Sequence, residues 1–518
     1  MLVGVLPYQC LEVSGNLLFA ARGSSVDIIS INDSSHISTW NLPRLHKQGY
    51  TTTQARSDSP KVFDKLPHHE KNSEPAPPAK KRKLALNRDE AADDTSRPDK
   101  DGSKTYSADV QEKETPAITI MASTKNGIYV AAVTGEDKTI RVLEIVQENQ
   151  VKRLVQISHR SMPKRPCAIT ITNDDTTIIS ADKFGDVYSI PLLYKETNSQ
   201  PHENSQSLVD SSQPFKPAAS ELTIHSQRNR RTLENQRKQT VQKSSKAGTD
   251  FDHELLLGHV SMLTDIKLAR SDQNNYIITS DRDEHIRISR GIPQTHVIEN
   301  FCLGHTEFVS RLCIPETRPK ILISGGGDNE IIVWDWTTGS LLSKTNMMEH
   351  VSVLKKKLNL LASETSIKDS FKIAVSNICH TYTHNDLIII SYESVPAFFT
   401  FILTSEDTLQ YVETIETTGN ILSMGVTKEP DQISSSIFVS VDNIHTPGST
   451  SILKESYNLT NIAALSKFKV SDCRIERLPL AIEIPTDDIN QSSDSNLKNI
   501  SRLFYGIESL RKKGDGHE

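Results

Sequence analysis

One strand–turn–strand pattern recurs along the chain and constrains the fold more than any other feature. Each copy has an apolar run, a short polar turn containing Gly, Asp, Asn or Ser, and a second apolar run. Such runs, rich in Ile, Val, Leu, Tyr and Phe, are typical of β-hairpins. Five copies are clear: NLLFAARGSSVDIISI (16–31), IYVAAVTGEDKTIRVLEI (128–145), TIISADKFGDVYSI (177–190), YIITSDRDEHIRIS (276–289) and ILISGGGDNEIIVWDW (321–336).

Two less regular apolar runs, at 387–403 and 435–444, extend the series to seven. Blades of about 40 to 55 residues fit the roughly 390 residues that remain when 41–115 and 193–250 are set aside. The sequence therefore predicts an all-β fold, a seven-bladed β-propeller over 1–518. The N-terminal run LVGVL (2–6) is expected to complete the last blade and so close the ring.

Two segments have a different composition and are predicted to be disordered insertions. Residues 41–115 and 193–250 are rich in Ser, Thr, Asn, Gln, Lys, Pro and Asp and poor in large apolar side chains. Such chains bury too little apolar surface to fold alone. The insertions are expected to leave the propeller after blades one and three. A terminal helix is predicted over 495–514, with apolar residues at Leu497, Ile500, Leu503, Phe504, Ile507 and Leu510.

A set of four polar and aromatic residues in the fifth hairpin has the spacing of a WD repeat. The set is His305, Ser324, Asp328 and Trp334, with 28 residues between His305 and Trp334. A degenerate copy, His259, Thr279 and Asp283, occurs in the preceding hairpin. Histidine, serine and aspartate could also form a hydrolytic triad. Repetition in a neighbouring blade favours the structural interpretation.

Several classes of site are disfavoured by the sequence. The run Gly325 to Gly327 is followed by a strand-like segment, whereas a nucleotide or S-adenosylmethionine loop needs a helix there. The cysteines, Cys10, Cys167, Cys302, Cys313, Cys379 and Cys473, lack the spacing of zinc ligands or of a disulfide framework. The first residues, MLVGVLPYQCLEV, lack the basic flank and apolar core of a signal peptide, and the apolar runs are shorter than the roughly 18 residues needed to span a bilayer. We expect a soluble intracellular protein without cofactor, metal or catalytic site.

Basic residues are concentrated in both insertions. The segment PPAKKRK (77–83) contains Lys80, Lys81, Arg82 and Lys83 in the compact form of a nuclear-localisation signal, which we favour over a solvated charge run. Residues 225–246 carry seven basic residues against one acid. This stretch is either a phosphate-binding arm or a solvated linker, because no aromatic residue is interleaved to stack on bases.

The turn SDRDEHIRIS (280–289) has an unusual density of charge. Arg287 alternates with Ile286 and Ile288 and so points to the opposite face of the strand, near Asp283 and Glu284. A partner contact and a structural ion pair remain equally open for Arg287. Asp283 aligns with Asp328, which favours a role in ordering the turn.

The amino-acid sequences of the predicted blades closely resemble those of one known family. The segments KRPCAITIT (164–172), ADKFGDVYSI (181–190), SMLTDI (261–266), SDRDEHIRIS (280–289) and FCLGHTEFVSRL (301–312) are similar to the WD-repeat, non-catalytic subunit of the tRNA guanine-N7 methyltransferase. The resemblance is most specific in blades three to five. The insertion lengths and the PPAKKRK segment resemble fungal members.

The resemblance implies a function that periodicity alone does not. Family members bind a separate Rossmann-type methyltransferase subunit, stabilise its active form and help present tRNA for N7 methylation of a variable-loop guanosine. It implies a partner face with Asp283, Glu284 and Arg287. Weaker candidates for tRNA or partner contact are Lys164, Arg165 and Lys183.

Two alternatives belong to other functional classes. The chain could be a generic propeller scaffold in chromatin or ribosome assembly, with its charged turns merely solvated. A propeller hydrolase would instead need a polar cluster with displaced pKa values in the central channel. The sequence shows no cluster of that kind. We therefore expect a nuclear, non-catalytic subunit that forms a heterodimer with the methyltransferase subunit.

Overall fold

The computed structural model describes residues 6–43, 116–148, 151–193, 251–358, 360, 371–429, 434–454, 465–471, 474–480, 482 and 501–512. These residues form seven four-stranded antiparallel sheets. Each sheet is one blade, and the strands of a blade follow one another in the chain. The predicted all-β, seven-bladed propeller is confirmed.

The strands of blades one to three are β1 (Cys10–Ser14), β2 (Leu17–Arg22), β3 (Ser25–Ser30), β4 (His36–Asn41), β5 (Ile118–Ser123), β6 (Tyr129–Thr134), β7 (Thr139–Glu148), β8 (Val151–Ser161), β9 (Pro166–Ile171), β10 (Thr177–Asp182), β11 (Asp186–Pro191) and β12 (Glu254–Gly258). Each blade takes four of these strands in chain order. The five clear hairpins and the weaker run at 387–403 coincide with the second and third strands of their blades. The run at 435–444 coincides with the second strand of blade seven alone.

The strands of blades four to seven are β13 (Leu263–Ser271), β14 (Asn274–Asp281), β15 (Ile286–Arg290), β16 (Ile298–Cys302), β17 (Val309–Cys313), β18 (Ile321–Gly326), β19 (Glu330–Asp335), β20 (Ser340–Asn346), β21 (Val375–Tyr382), β22 (Asp386–Tyr392), β23 (Ala397–Leu403), β24 (Leu409–Glu416), β25 (Ile421–Lys428), β26 (Ser435–Val441), β27 (Leu465–Ser471) and β28 (Arg474–Leu478). A helix that the sequence did not predict, α1 (Met348–Lys357), connects blades five and six.

The first strand of each blade contacts the first strands of both neighbouring blades, so these strands surround the central axis. Strands alternate in direction within a blade. The turns between second and third strands therefore lie on the same face as the connections between blades. We call this face the upper face. The other turns of each blade lie on the opposite, lower face.

The ring closes differently from the sequence-based expectation. Blade seven takes all four strands from Ile421–Leu478, so its outer edge is already occupied by β28 and the expected completion by residues 2–6 is wrong. Closure comes from direct contact of β1 with β25. The Leu11 amide donates to Ser423 Oγ at 3.0 Å. Residues 2–5 lie outside the described part of the chain.

The two insertions leave the propeller at different points of a blade. The first follows β4, between blades one and two as predicted, although β4 itself extends to Asn41. The second lies between β11 and β12, hence inside blade three rather than after it. Along the chain it separates a third strand from an outermost strand, and neither of these is one of the first strands that contact the neighbouring blades. Most of both insertions, and with them their predicted disorder, fall outside the described residues.

Burial explains why the central hairpins stand out in the sequence. Every residue of β18 and of β22 is buried, because neighbouring blades cover both faces of each sheet. Outer strands such as β20 are largely exposed.

The predicted terminal helix appears as helical residues 501–504 followed, after a break, by a 3-10 turn at Glu508–Leu510. None of the helices in the described part is long and apolar enough to cross a membrane.

Candidate partner-binding face and its supporting network

Blade five contains a buried chain of hydrogen bonds that begins at His305. Its Nδ1 lies 2.5 Å from Asp328 Oδ2 and its Nε2 lies 2.7 Å from Ser324 Oγ. The indole of Trp334 donates to the same hydroxyl at 2.7 Å. Burial raises the pKa of Asp328, but hydrogen bonds from His305 and Thr306 outweigh it and hold the pKa below its usual value. These hydrogen bonds join the connection that precedes blade five to its second and third strands and to the turn between them.

This geometry also argues against hydrolysis. The Ser324 side chain is fully buried, and its hydroxyl is shared between the imidazole and the indole. A nucleophile must be accessible to its substrate. Ser324 is instead enclosed by the blade that it stabilises.

Blade four has a related chain with a different acid. His259 Nε2 lies 2.9 Å from Thr279 Oγ1, and its Nδ1 lies 3.4 Å from Asp281 Oδ2. Asp281 also accepts the backbone N–H groups of Asp283 at 2.8 Å and His285 at 3.0 Å. The assignment of the turn-ordering role to Asp283 is therefore wrong, and Asp281 has that role.

The sequence alignment of the two turns explains this error. Asp328 lies four residues after Ser324, and Asp283 lies four residues after Thr279. The position two residues after the hydroxyl residue is Gly326 in blade five, which has no side chain to offer. In blade four that position is Asp281, whose carboxylate is close enough to contact His259 directly.

Arg287 lies inside blade four. It pairs with Thr279 across the sheet, as Ile332 pairs with Ser324 in blade five. Its Nε donates to Ser289 Oγ at 2.9 Å, and its Nη1 donates to the Gly258 carbonyl at 3.0 Å. The residue is 8% exposed, and burial lowers the pKa of the guanidinium.

This placement corrects the expectation that Arg287 accompanies Asp283 and Glu284. Those two acids are partly exposed on the upper face and pair with Lys512, at 3.2 and 3.5 Å. The alternation of side chains correctly places Arg287 on the opposite face of the strand from Ile286. On that face its guanidinium reaches the Gly258 carbonyl, where the connection to blade four begins, and not the two acids. A signal for this was present, because Ser289 stands where blade five has Trp334.

Two of the three basic candidates, Lys164 and Lys183, lie around an aromatic ring that the sequence did not single out. Lys164 and Arg165 lie in the connection to blade three, and Lys183 lies in its upper turn. The Nζ atoms of Lys164 and Lys183 are 4.0 and 5.6 Å from the centroid of Phe184. Phe184 is 54% exposed. The result is an exposed, positively charged patch with an apolar centre.

The predicted nuclear-localisation residues Lys80, Lys81, Arg82 and Lys83 lie outside the described residues. The same holds for the basic stretch at 225–246.

The innermost strands carry ionisable groups whose pKa values are displaced. Burial raises the pKa of the thiols of Cys10 and Cys313 to about 12 and that of Cys379 to about 11. A nucleophilic cysteine needs a lowered pKa, and burial shifts the pKa of these thiols in the opposite direction. Burial also raises the pKa of Glu12, which accepts a hydrogen bond from Ser123 Oγ at 2.7 Å. Within the described ranges, no group of three His, Cys, Asp or Glu side chains is arranged to hold a metal.

Comparison with known proteins places this architecture in a family. A family model described as the tRNA methyltransferase TRM82 WD40 domain matches residues 18–465. Among solved structures, the WD40 repeats of RRP9 cover 89% of this chain and 93% of their own, with 11% identity and a TM-score of 0.47.

Three curated fungal relatives share one description, tRNA (guanine-N(7)-)-methyltransferase non-catalytic subunit TRM82. The protein of Sclerotinia sclerotiorum is 44% identical over 98% of both chains. That of Coccidioides immitis is 38% identical over 85% of this chain and 86% of its own. That of Phaeosphaeria nodorum is 40% identical over 75% and 81%. The chain therefore belongs to the TRM82 WD40 family, the non-catalytic subunits of tRNA (guanine-N(7)-)-methyltransferases.

Proposed function

We propose that this chain binds a separate methyltransferase subunit, stabilises its active form, and thereby supports N7 methylation of a guanosine in the variable loop of tRNA. The observation that carries the proposal is the match, along nearly the whole chain, to a relative described as the non-catalytic subunit of that enzyme. The closed ring of blades supplies a rigid support of the kind that such a role needs.

The upper face offers two areas of opposite charge for this purpose. Asp283 and Glu284 present carboxylates that fit lysine or arginine side chains of a partner. Lys164 and Lys183 flank the exposed ring of Phe184, an arrangement that fits an acidic protein surface or tRNA phosphates. Complementary charges of this kind guide association and fix orientation.

Arg287 has a positioning role in this proposal. It holds the Gly258 carbonyl and the Ser289 hydroxyl from within the blade, and so fixes the third strand beneath the turn that bears Asp283 and Glu284. Binding by the two acids then depends on Arg287, although its own guanidinium is buried. tRNA contacts are made through the assembled complex.

We propose a nuclear location for the protein, directed by Lys80, Lys81, Arg82 and Lys83. Compact basic runs after prolines are the form that import receptors bind. Deleting residues 77–83 from a fluorescent fusion should move the fusion into the cytoplasm without lowering its melting temperature. Unchanged nuclear fluorescence would contradict this assignment.

The partner can be identified directly by purifying the tagged full chain and determining its stoichiometric companion by mass spectrometry. We expect a methyltransferase subunit. The double variant Asp283→Lys/Glu284→Lys should lose that companion, whereas Glu299→Lys, on the outer strand of the same blade, should retain it. A chromatin or ribosome-assembly protein in place of the methyltransferase would contradict the proposal and favour a generic scaffold.

A further inference from the structure

The last described segment of the chain crosses the upper face of the propeller. We call residues 501–512 the C-terminal strap. It contacts the upper turns of four successive blades through Asp442 of blade seven, Glu393 of blade six, Gly327 of blade five and Asp283 of blade four. The strap therefore covers one part of the face that we assign to partner binding.

The strap begins with an anchor at blade seven. The Tyr505 hydroxyl donates to Asp442 and accepts a hydrogen bond from Asn420 Nδ2 at 3.0 Å. Burial and the neighbouring Asp442 carboxylate raise the pKa of Tyr505 well above its usual value, so the hydroxyl stays protonated and donates. Ser501 adds a bond to the Thr450 carbonyl at 2.6 Å.

The middle of the strap is held by one carboxylate. Glu393, which is 9% exposed, accepts the backbone N–H groups of Gly506, Ile507 and Glu508 at 2.6, 2.9 and 2.7 Å. Hydrogen bonds to a charged acceptor are stronger than neutral ones. This anchor fixes the backbone of the strap above blade six.

Arg511 provides the third anchor. Its guanidinium donates to the carbonyls of Gly327 at 3.0 Å and Ile373 at 3.1 Å, and it lies 2.8 Å from Glu307 Oε1. Its side chain is 9% exposed. Up to this residue the strap is an integral part of the propeller surface.

Lys512 is held in a different way from these anchors. Its side chain is 52% exposed, and its ion-pair partners within the described part of the chain are Asp283 and Glu284, whose side chains are 41% and 39% exposed. Exposed ion pairs of this kind are weak and are screened by salt. Fixed anchors thus deliver a readily exchanged ammonium group to the two acids.

We propose that Lys512 is an intramolecular competitor for the acidic pair Asp283 and Glu284, which a cationic side chain of the methyltransferase subunit displaces on binding. This inference rests on the proposed function. The ammonium group shows which chemistry the pair accepts, and the fixed position of Arg511 keeps it close by. The partner must therefore exchange one weak ion pair for another.

The test compares binding of the purified methyltransferase subunit to the full chain and to Lys512→Ala at low salt. Loss of one exposed ion pair predicts a Kd about two- to fivefold lower for the variant. Lys344→Ala is the matched control and should leave the Kd unchanged, because it removes an exposed lysine on the outer strand of blade five from an ion pair with Glu330. The gain in affinity should vanish in an Asp283→Asn/Glu284→Gln background, because the acidic pair that Lys512 occupies is then absent.

A second measurement follows Lys512 in the unmodified chain. Its acylation by an amine-reactive ester, read by mass spectrometry, should become faster when the methyltransferase subunit is added, because displacement frees the ammonium group. Weaker binding by Lys512→Ala, or protection of Lys512 in the complex, would make it an interface residue and overturn the proposal. An unchanged Kd would overturn it as well. If the wild-type chain does not bind the subunit, the proposed function itself fails.

Discussion

Blades four and five solve the same structural problem with different chemistry. In blade five the indole of Trp334 closes the chain from His305 through Ser324. In blade four the corresponding position is Ser289, and the guanidinium of Arg287 donates to it and to the Gly258 carbonyl. Both blades thus join a connection to their third strand, one through a buried aromatic ring and the other through a buried cation.

The two blades show how a degenerate repeat stays folded. An indole contributes a large apolar area and one donor, whereas a guanidinium contributes several donors and must be desolvated. Burial lowers the pKa of Arg287, which reflects that desolvation. Blade five should therefore depend mainly on packing, and blade four on satisfied hydrogen bonds.

The largest effect is expected from Trp334→Ala. Removing a fully buried aromatic ring should lower the free energy of unfolding by about 3 to 5 kcal/mol. Chemical denaturation of the isolated chain measures this loss. Leu341→Ala is the control in the same blade, since Leu341 is 41% exposed. A loss below about 1 kcal/mol for Trp334→Ala would remove the distinction between the blades.

A smaller loss is expected from Arg287→Ala. The Gly258 carbonyl would lose its donor from Arg287, which costs about 1 to 3 kcal/mol. Arg290→Ala, at an exposed rim ion pair, should change stability much less. The double variant Arg287→Ile/Ser289→Trp copies blade five and should recover part of the loss. An Arg287→Ala chain that melts normally but fails to bind its partner would instead make Arg287 an interface residue.

The two acids of the blade-four turn provide a sharper comparison. Asp281→Asn weakens acceptance of the backbone N–H groups of Asp283 and His285 and should cost about 1 kcal/mol. Asp283→Asn changes only a partly exposed carboxylate and should stay within about 0.5 kcal/mol of the wild type. We expect a lower melting temperature for Asp281→Asn than for Asp283→Asn. A lower melting temperature for Asp283→Asn would instead make Asp283 the turn-ordering acid.

The smallest difference between the blades is expected in acid. Hydrogen bonds hold the pKa values of Asp281 and Asp328 below their usual range despite burial. Each lowered pKa gives stability that is present above the unfolded-state value, about 3.9, and is lost as pH falls through the folded value. Asp281→Asn and Asp328→Asn should both flatten the loss of stability below about pH 4. A slope that equals the wild type in either variant would contradict the role of that carboxylate.

The parts of the fold that the sequence could predict are those buried on both faces. The central hairpins, such as β18 with β19, produce continuous apolar runs because neighbouring blades cover them. Outer strands such as β20 are exposed and give no such signal. Ring closure depends on whether blade seven supplies its own fourth strand, and β28, with the exposed pattern of an outer strand, could not be recognised in advance.

The candidate site was predictable only to the level of the turn. The charge density of SDRDEHIRIS directs attention to the turn of blade four, whose role in partner binding stays a prediction, but spacing cannot distinguish Asp281 from Asp283, which lie two residues apart. The contacts of Lys512 with Asp283 and of Lys164 with Phe184 join segments distant in sequence. Only the three-dimensional arrangement of the blades brings them together.

The proposed stabilising role is tested by the rate of 7-methylguanosine formation in tRNA by the purified methyltransferase subunit, with and without an equimolar amount of this chain. We predict that the chain alone transfers no methyl group, and that its addition raises the rate and the thermal stability of the methyltransferase subunit together. Methyl transfer by the isolated chain would contradict its non-catalytic role. An unchanged rate with an unchanged melting temperature would contradict the proposed stabilisation.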